Sequence, residues 1–505
     1  RRCRRGRRRP PRERRTTDHA VELSPDRIRG LTVRAVDVRD GVPFPSPPSE
    51  GITAAAAASA ISAAPAAGPA DAGERMGAAG SAPAMGPPGT AGSPTASRWA
   101  WEPPLAAVLL VLVGWRTEVA GGLLISDCVA LAALPVTWSA VRRSRRFALL
   151  LMLALLAAAT GWALSLAAYE HFIVVSSIQR SQLLLAVGLP AAVAAFAWGR
   201  ERLGLEGAAI ALGIGMILSN LHFLRSSDNP WKFGLGAPVS IVTLAIACRF
   251  GRGAQLVTAA VLGGLYLVHD SRAATGMLML IVALLILQIV SAKLTITAPS
   301  PARMRARQIL LLVGLTCAAT LAVVAASLAG YLGKEVQQRT MLQSHGTNNL
   351  ILAARPELGA SWELLTHRPW GYGAGVQPRY EDVRTAMQGM ASLNYNPDNG
   401  YVRNYMFGHG FELHSGLVDA WIALSLPGAA LVAFAVWLGL RALWDNLGTA
   451  HLKSWLLFAM LFVLLNTAVG PLSVLPAYFV LGAGAALHAG KAPPPHQPSR
   501  QRMSA

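Results

Sequence analysis

Two polar pairs frame the one long loop of a very apolar chain. Ser271-Arg272 stands at the outer end of one hydrophobic span, and His414-Ser415 stands where the loop 331–415 gives way to the next. An arginine at a membrane boundary is costly unless it snorkels, pairs or serves a site. Arg272 follows His269, Asp270 and Ser271, and an apolar helix is expected from Ala273, which puts the guanidinium at headgroup depth. Two readings stand. Asp270 neutralises Arg272, or the guanidinium fork, matched to phosphate oxygens, makes an anion site. In the second case Ser271 suits the N-cap of the following helix, whose positive end adds to the attraction for phosphate. Arg225, within LHFLRSSDNPWKF, is another boundary arginine, either an interfacial anchor beside Trp231 and Lys232 or a further anion ligand.

His414 begins HSGLVDAWIALSLPGAALVAF, so its imidazole is expected at the membrane face. An imidazole can take a proton from a hydroxyl at neutral pH, and a capping or hydrogen-bonded boundary role is the competing reading. His409, Glu412 and His414 invite a metal reading, but the spacing is not HExxH and no third ligand is evident, so no metal is expected. In the loop, Arg355 opens RPELGASWELLTHRPWGYGAG, which reads as a short helix carrying Trp362 followed by a turn at Pro369, Gly371, Gly373 and Gly375. Those glycines allow tight turns or close backbone approach to a ligand. The run is not a phosphate-binding P-loop, since no GKS or GKT follows. Arg339, Arg368, Arg379, Arg384 and Arg403 read as solvated surface charges.

The elements that must position these residues are apolar helices. Hydrophobic residues make up 53% of the chain and charged ones only 14%. They come in runs near the ~20 residues that cross about 30 Å of hydrocarbon. Apolar segments lie at 103–115, 120–141, 147–168, 181–198, 205–223, 233–250, 254–268, 273–291, 309–330, 416–440, 453–468 and 472–488. The expectation is an all-α membrane protein of about twelve transmembrane helices, with one large extracytoplasmic loop between spans 9 and 10.

Lys and Arg in short loops favour the cytoplasm. Alternate loops hold Arg142, Arg143, Arg145 and Arg146, then Arg200 and Arg202, Arg249 and Arg252, Lys293 with Arg303, Arg305 and Arg307, and finally Arg441 and Lys453. These are expected inside, with both termini. Arg225, Arg272 and the loop 331–415 then share the outer face. The chain divides into a basic, then Ala/Gly/Pro-rich tail at 1–97, spans 1–9 at 98–330, the outer loop at 331–415, spans 10–12 at 416–490 and a tail at 491–505. Residues 1–97 lack the apolar content to fold and are expected to be disordered. They read as a solvated cytoplasmic tail or a start placed too early, and they do not resemble a signal peptide. A basic run can hold anionic lipid or nucleic acid; membrane lipids are expected partners and nucleic acid is not. Cys3, Cys128, Cys248 and Cys317 all fall outside the loop, so neither a disulfide framework nor a thiolate metal site is indicated.

Taken in order, these residues resemble the O-antigen ligase and polymerase superfamily, membrane enzymes that transfer glycans from a polyprenyl-diphosphate carrier. HDSRAATGMLML is similar to the family's Ser-Arg-small element opening a membrane helix. RPELGASWELLTHRPWGYGAG resembles its loop stretch with an Arg, a Trp and a P-x-G-x-G turn, and HSGLVDAWIALSLPGA resembles its helix opening on His-(Asn/Ser). Arg225 with Asn229-Pro230 is a fainter fourth match. Ala273 stands where the family usually has Gly, Trp231 replaces the usual Asn after Pro, and the first hundred residues have no counterpart.

The resemblance implies that Arg272 and Arg355, with Arg225, hold the diphosphate, and that His414 acts as base toward an acceptor hydroxyl or amide, or helps to orient it. Ser271, Gly373, Gly375 and Ser415 would contact substrate. It further implies an enzyme of the cytoplasmic membrane working without metal or cofactor, with inversion at the anomeric centre. The donor would be an undecaprenyl-diphosphate-linked glycan and the acceptor a lipid, glycan or protein. Ligase and polymerase are not separated, because donor chemistry fixes the shared motifs. The alternatives are a transporter or lipid-linked oligosaccharide flippase, and a non-catalytic scaffold of surface-polysaccharide assembly.

Overall fold

The computed structural model describes residues 101–294, 300–331, 333–334, 337–338, 341, 355–447 and 452–487. The expected tails at 1–97 and 491–505, and Arg339 of the loop, lie outside the described residues. What is described is mostly helical, and the helices fall on the apolar segments: α1 (Glu102–Gly114), α2 (Ile125–Val141), α3 (Arg145–Ala168), α4 (Ser176–Asn220), α5 (Phe223–Ser226), α6 (Gly236–Arg249), α7 (Arg252–Val268), α8 (Arg272–Leu294) and α9 (Pro301–Leu328). In the long loop come α10 (Glu357–His367) and α11 (Tyr380–Ser392), then α12 (Gly416–Asn446), α13 (Ser454–Val469) and α14 (Pro476–Ala486). Starts are marked by proline in the first turn of α1, α9 and α14, where a missing N–H is harmless. Ser144 and Ser300 cap α3 and α9 by accepting from the N–H groups of Phe147 and Arg303, at 3.3 and 3.4 Å.

Five described helical segments are long and apolar enough to cross a membrane: Arg145–Ala168, Ser176–Ser226, Trp231–Arg249, Arg272–Ser291 and Gly416–Asn446. Shorter apolar helices, α1, α2, α7, α13 and α14, pack among them. Small residues let these helices approach closely, with Gly114 facing Gly215 and Gly439 facing Gly482.

Three local features depart from uniform spans. The segment expected as helix from 120 begins instead as a short antiparallel pair, β1 (Glu118–Ala120) with β2 (Leu123–Leu124), because Gly121 and Gly122 take positive φ of 54° and 89° and turn the chain in two residues. Helix α4 is two helices meeting at Gly204, whose φ of 75° and ψ of 168° are not helical; Gly199 before it and Gly215 after it both flank α1, at Leu110 and Val111, so the chain doubles back. Helix α12, expected as one run from 416, also breaks at Ser425 (φ 62°, ψ −164°). There Gly428 returns against the carbonyl of Ala420, leaving a short first part, 416–424. Non-glycine residues rarely take such angles, so the corner stores strain.

The helix ends sort into two sets. At one end the basic residues gather: Arg202 pairs with Glu102 at 3.1 Å, Arg200 donates to the Ala485 carbonyl at 2.7 Å, Arg305 to the Leu447 carbonyl at 2.9 Å, and Lys453 pairs with Glu206. The opposite end carries the β-hairpin, the start of α4, the loop helices and the start of α12. Here the segment 369–376 threads between three helices and fixes the site.

Candidate functional site

Pro369–Val376 is an irregular segment with turns at 369–370 and 374–375, and residues 371–376 are buried throughout. The amides from Tyr372 to Gly375 are satisfied by distant elements. The N–H groups of Tyr372 and Gly373 both donate to the Ile422 carbonyl, at 2.9 and 3.1 Å, and that of Ala374 to the Gly161 carbonyl at 3.1 Å. Gly375 N–H donates to Gln182 Oε1 at 2.8 Å, and Ser165 Oγ donates to the Ala374 carbonyl at 2.6 Å. Gly371, Gly373 and Gly375 alternate at positive φ of 82°, 108° and 75°. A Cβ on Gly373 would lie 2.6 Å from the Ser165 nitrogen, and one on Gly375 2.6 Å from Gln179 Cβ. The glycines thus make their close approach to the protein's own helices.

That strap holds α12 at its start. Trp421 Nε1 donates to the Pro369 carbonyl at 2.9 Å. Asp419 is buried and ties two turns together, accepting from Leu413 N–H at 2.9 Å on one oxygen and from Leu472 N–H at 3.0 Å on the other. Ser415 donates its hydroxyl to the Thr467 carbonyl at 3.1 Å. His414 sits between these anchors with a φ of 52°. Its Nδ1 lies 3.1 Å from the Glu412 carbonyl. A carbonyl only accepts, so Nδ1 carries the proton and Nε2 of the neutral ring keeps its lone pair.

The His414 ring lies 5.7 Å from that of Tyr401, centroid to centroid, and Tyr401 donates to Glu357 Oε1 at 2.6 Å. Burial pushes the Tyr401 hydroxyl's pKa up, and Glu357 adds to the effect, so the phenol stays protonated. Arg355 stands two residues before Glu357 in the chain, and its charge acts on the same hydroxyl in the opposite sense. Arg355 itself is exposed and has no carboxylate partner among the described residues. Of the expected site residues, His414 is linked through Tyr401 to Glu357, two residues from Arg355 in the chain; no described bond or ring contact joins Arg355 itself to His414.

Arg272 belongs to a second group. Its Nε lies 3.4 Å from Asp270 Oδ1, and Lys232 Nζ lies 3.6 Å from Asp270 Oδ2. Asn229 Nδ2 donates to the His269 carbonyl at 2.8 Å, which joins the turn after α5 to the end of α7. Asp270 serves both cations and so leaves the cluster net positive. Ser271 precedes α8 but its hydroxyl makes no capping bond among the described residues; its carbonyl takes the Thr275 N–H at 3.0 Å. Arg225 is exposed on α5 with no ion pair among the described residues. No described hydrogen bond or ion pair joins this group to His414 or Arg355.

Two loop arginines expected as solvated charges are packed instead: Arg368 and Arg379 both lie over the Phe172 ring, 4.5 and 4.3 Å from its centroid. Tyr401 and Glu357 carry no motif, although Glu357 sits two places after Arg355. Asp419 had a signal, being an acid at the start of an apolar helix. Asp419→Asn keeps the shape but offers an oxygen to only one of the two N–H groups, so it is expected to lower stability by about 1–3 kcal/mol. Thermal unfolding in detergent measures this, and wild-type behaviour would remove Asp419 as the anchor of the His414 turn.

Comparison of the chain with protein-family models, with curated proteins and with solved structures finds no match.

Proposed function

We propose that the protein is a membrane glycosyltransferase of the ligase or polymerase type, using an undecaprenyl-diphosphate-linked glycan at the outer face of the cytoplasmic membrane, with about twelve spans and the loop 331–415 on that face. The observation that carries this reading is His414, its Nε2 lone pair fixed by the bond to Glu412 and its ring against Tyr401, whose hydroxyl bonds Glu357, two residues from Arg355 in the chain. This link from His414 through Tyr401 to Glu357, two residues from Arg355 in the chain, supports base and cation serving one reaction centre.

In the proposed step, Nε2 takes the proton of an acceptor hydroxyl as its oxygen attacks the anomeric carbon. The bond from that carbon to the phosphate oxygen breaks, and its electron pair leaves on the undecaprenyl diphosphate. Arg355 stabilises the charge that develops there. Arg272 and Lys232, with one carboxylate between them, and Arg225 nearby in sequence supply further positive charge for the carrier.

A second reading, a transporter or flippase, is favoured by two observations. Helix α12 is broken at Ser425, and Arg116 forms a 3.4 Å pair with Asp127, whose side chain is buried in the bundle. Broken helices and buried charge are transporter features. Purified full-length protein given the diphosphate-linked glycan and a panel of acceptors is expected to release undecaprenyl diphosphate and lengthen the acceptor, in chelator as well as without it. No transfer to any acceptor, with carrier exchanging between leaflets in proteoliposomes, would establish the second reading instead.

A further inference from the structure

Beside the His414 turn lies a cavity of about 350 Å³, of a size that takes a small ligand. It opens between the β-hairpin, the first turns of α4, the glycine strap and the turn 405–412. Its charge is one-sided. Glu118, Glu412 and Asp419 line it, and no Arg or Lys does. A diphosphate brought there would meet three carboxylates with no Arg or Lys in the lining to pair with it, so the cavity is poorly suited to the carrier's charged group.

The lining is nevertheless rich in groups that bind hydroxyls. Asp419 is occupied by two backbone amides and Glu118 Oε1 by Gly122 N–H at 2.6 Å. Glu412 is different: its carboxylate has no partner among the described residues and keeps both oxygens as acceptors. Gln182 turns its carbonyl to the Gly375 amide at 2.8 Å, leaving its NH2 group as a double donor. The His409 ring is likewise without a described partner, and Ser177 and Ser181 add hydroxyls. Tyr405 and Phe411 contribute aromatic surface. Acceptors, donors and an apolar face in one small space match a ring that carries adjacent hydroxyls on its rim and C–H groups on its face.

We propose that this cavity is a subsite for an uncharged sugar ring, the end of the acceptor glycan, and that it excludes the diphosphate. The proposal rests on the transferase reading for the word acceptor, while the sugar subsite itself stands on the cavity. Placement supports the link: Glu412 contributes its carboxylate to the cavity and its carbonyl to His414 Nδ1, so one residue joins the sugar's pocket to the base.

The test is binding, which needs no transfer. Saturation-transfer NMR on the full chain in detergent, with unphosphorylated hexose, 6-deoxyhexose and N-acetylhexosamine disaccharides, is expected to show contact for at least one. Glu412→Gln, an exposed position, is expected to raise its Kd about tenfold with the thermal midpoint unchanged, and Ser181→Trp, which fills the cavity, to abolish contact. Absence of contact in the wild type, Kd unchanged in Glu412→Gln, or displacement of the sugar by Mg²⁺ or spermidine in place of other sugars would overturn the proposal. Sugar contact without glycan transfer would sink the transferase and keep the subsite; transfer with an acceptor KM that ignores Glu412→Gln would do the reverse.

Discussion

His414→Ala is expected to lower the turnover of glycan transfer by about 10²- to 10⁴-fold, the range for loss of a positioned general base. The geometry makes the expectation specific. The Nδ1 proton is held by the Glu412 carbonyl at 3.1 Å, so only Nε2 can take up a proton, and alanine leaves no substitute among the neighbours that bond to it. Donor KM should change little, since positive charge for the diphosphate comes from Arg355 and, in the second group, Arg272 and Lys232. The acid limb of the wild-type pH–rate profile should flatten in the variant, which a merely structural role would not cause. Tyr401→Phe keeps the ring against His414 and loses the 2.6 Å bond to Glu357; it is expected to cost roughly tenfold, a single hydrogen bond to a charged group. Turnover unchanged in His414→Ala, with the protein folded, would remove the base from the mechanism.

Legibility followed sequence distance. Local signals were strong: apolar runs, proline starts and serine caps place the helices, and Asp270 beside Arg272 could be read as its neutralising partner from adjacency. The His414-Ser415 pair was visible because a polar residue at the mouth of an apolar run is conspicuous. Long-range pairings were not. Nothing in residues 371–375 says that their amides will be taken by Ile422, Gly161 and Gln182, which lie on helices far along the chain. Tyr401 is one aromatic in an aperiodic stretch, and its link to Glu357 and His414 exists only after the loop folds back on itself. The break at Ser425 was hidden for another reason. ALSLPGAAL leaves the apolar run almost unbroken and Pro427 is tolerated in membrane helices, so Pro427-Gly428, a turn signal in a soluble chain, does not by itself tell that the chain reverses there.

The glycine strap can be tested without substrate. Gly373→Ala is expected to destabilise the protein by about 2–5 kcal/mol. Two independent terms enter: about 1–2 kcal/mol for an L-residue held at a left-handed φ, here 108°, and about 1–3 kcal/mol for overpacking a filled site. The second term is firm here because the added methyl meets backbone, the Ser165 nitrogen at 2.6 Å, on a helix that cannot yield as a side-chain tip can. Gly276→Ala supplies the control. Gly276 lies inside α8 with open space around its missing Cβ, so alanine there is expected to be neutral or stabilising by about 0.5–1 kcal/mol. In detergent, the apparent melting midpoint of Gly373→Ala should fall by roughly 5–10 °C while that of Gly276→Ala holds or rises. Because Gly373 also lines the sugar cavity and its N–H reaches Ile422, a strap displaced by that methyl would loosen the α12 start that carries His414. Equal midpoints for the two variants would mean that the strap does not pass between α3 and α12, and the alignment of cavity and base would go with it.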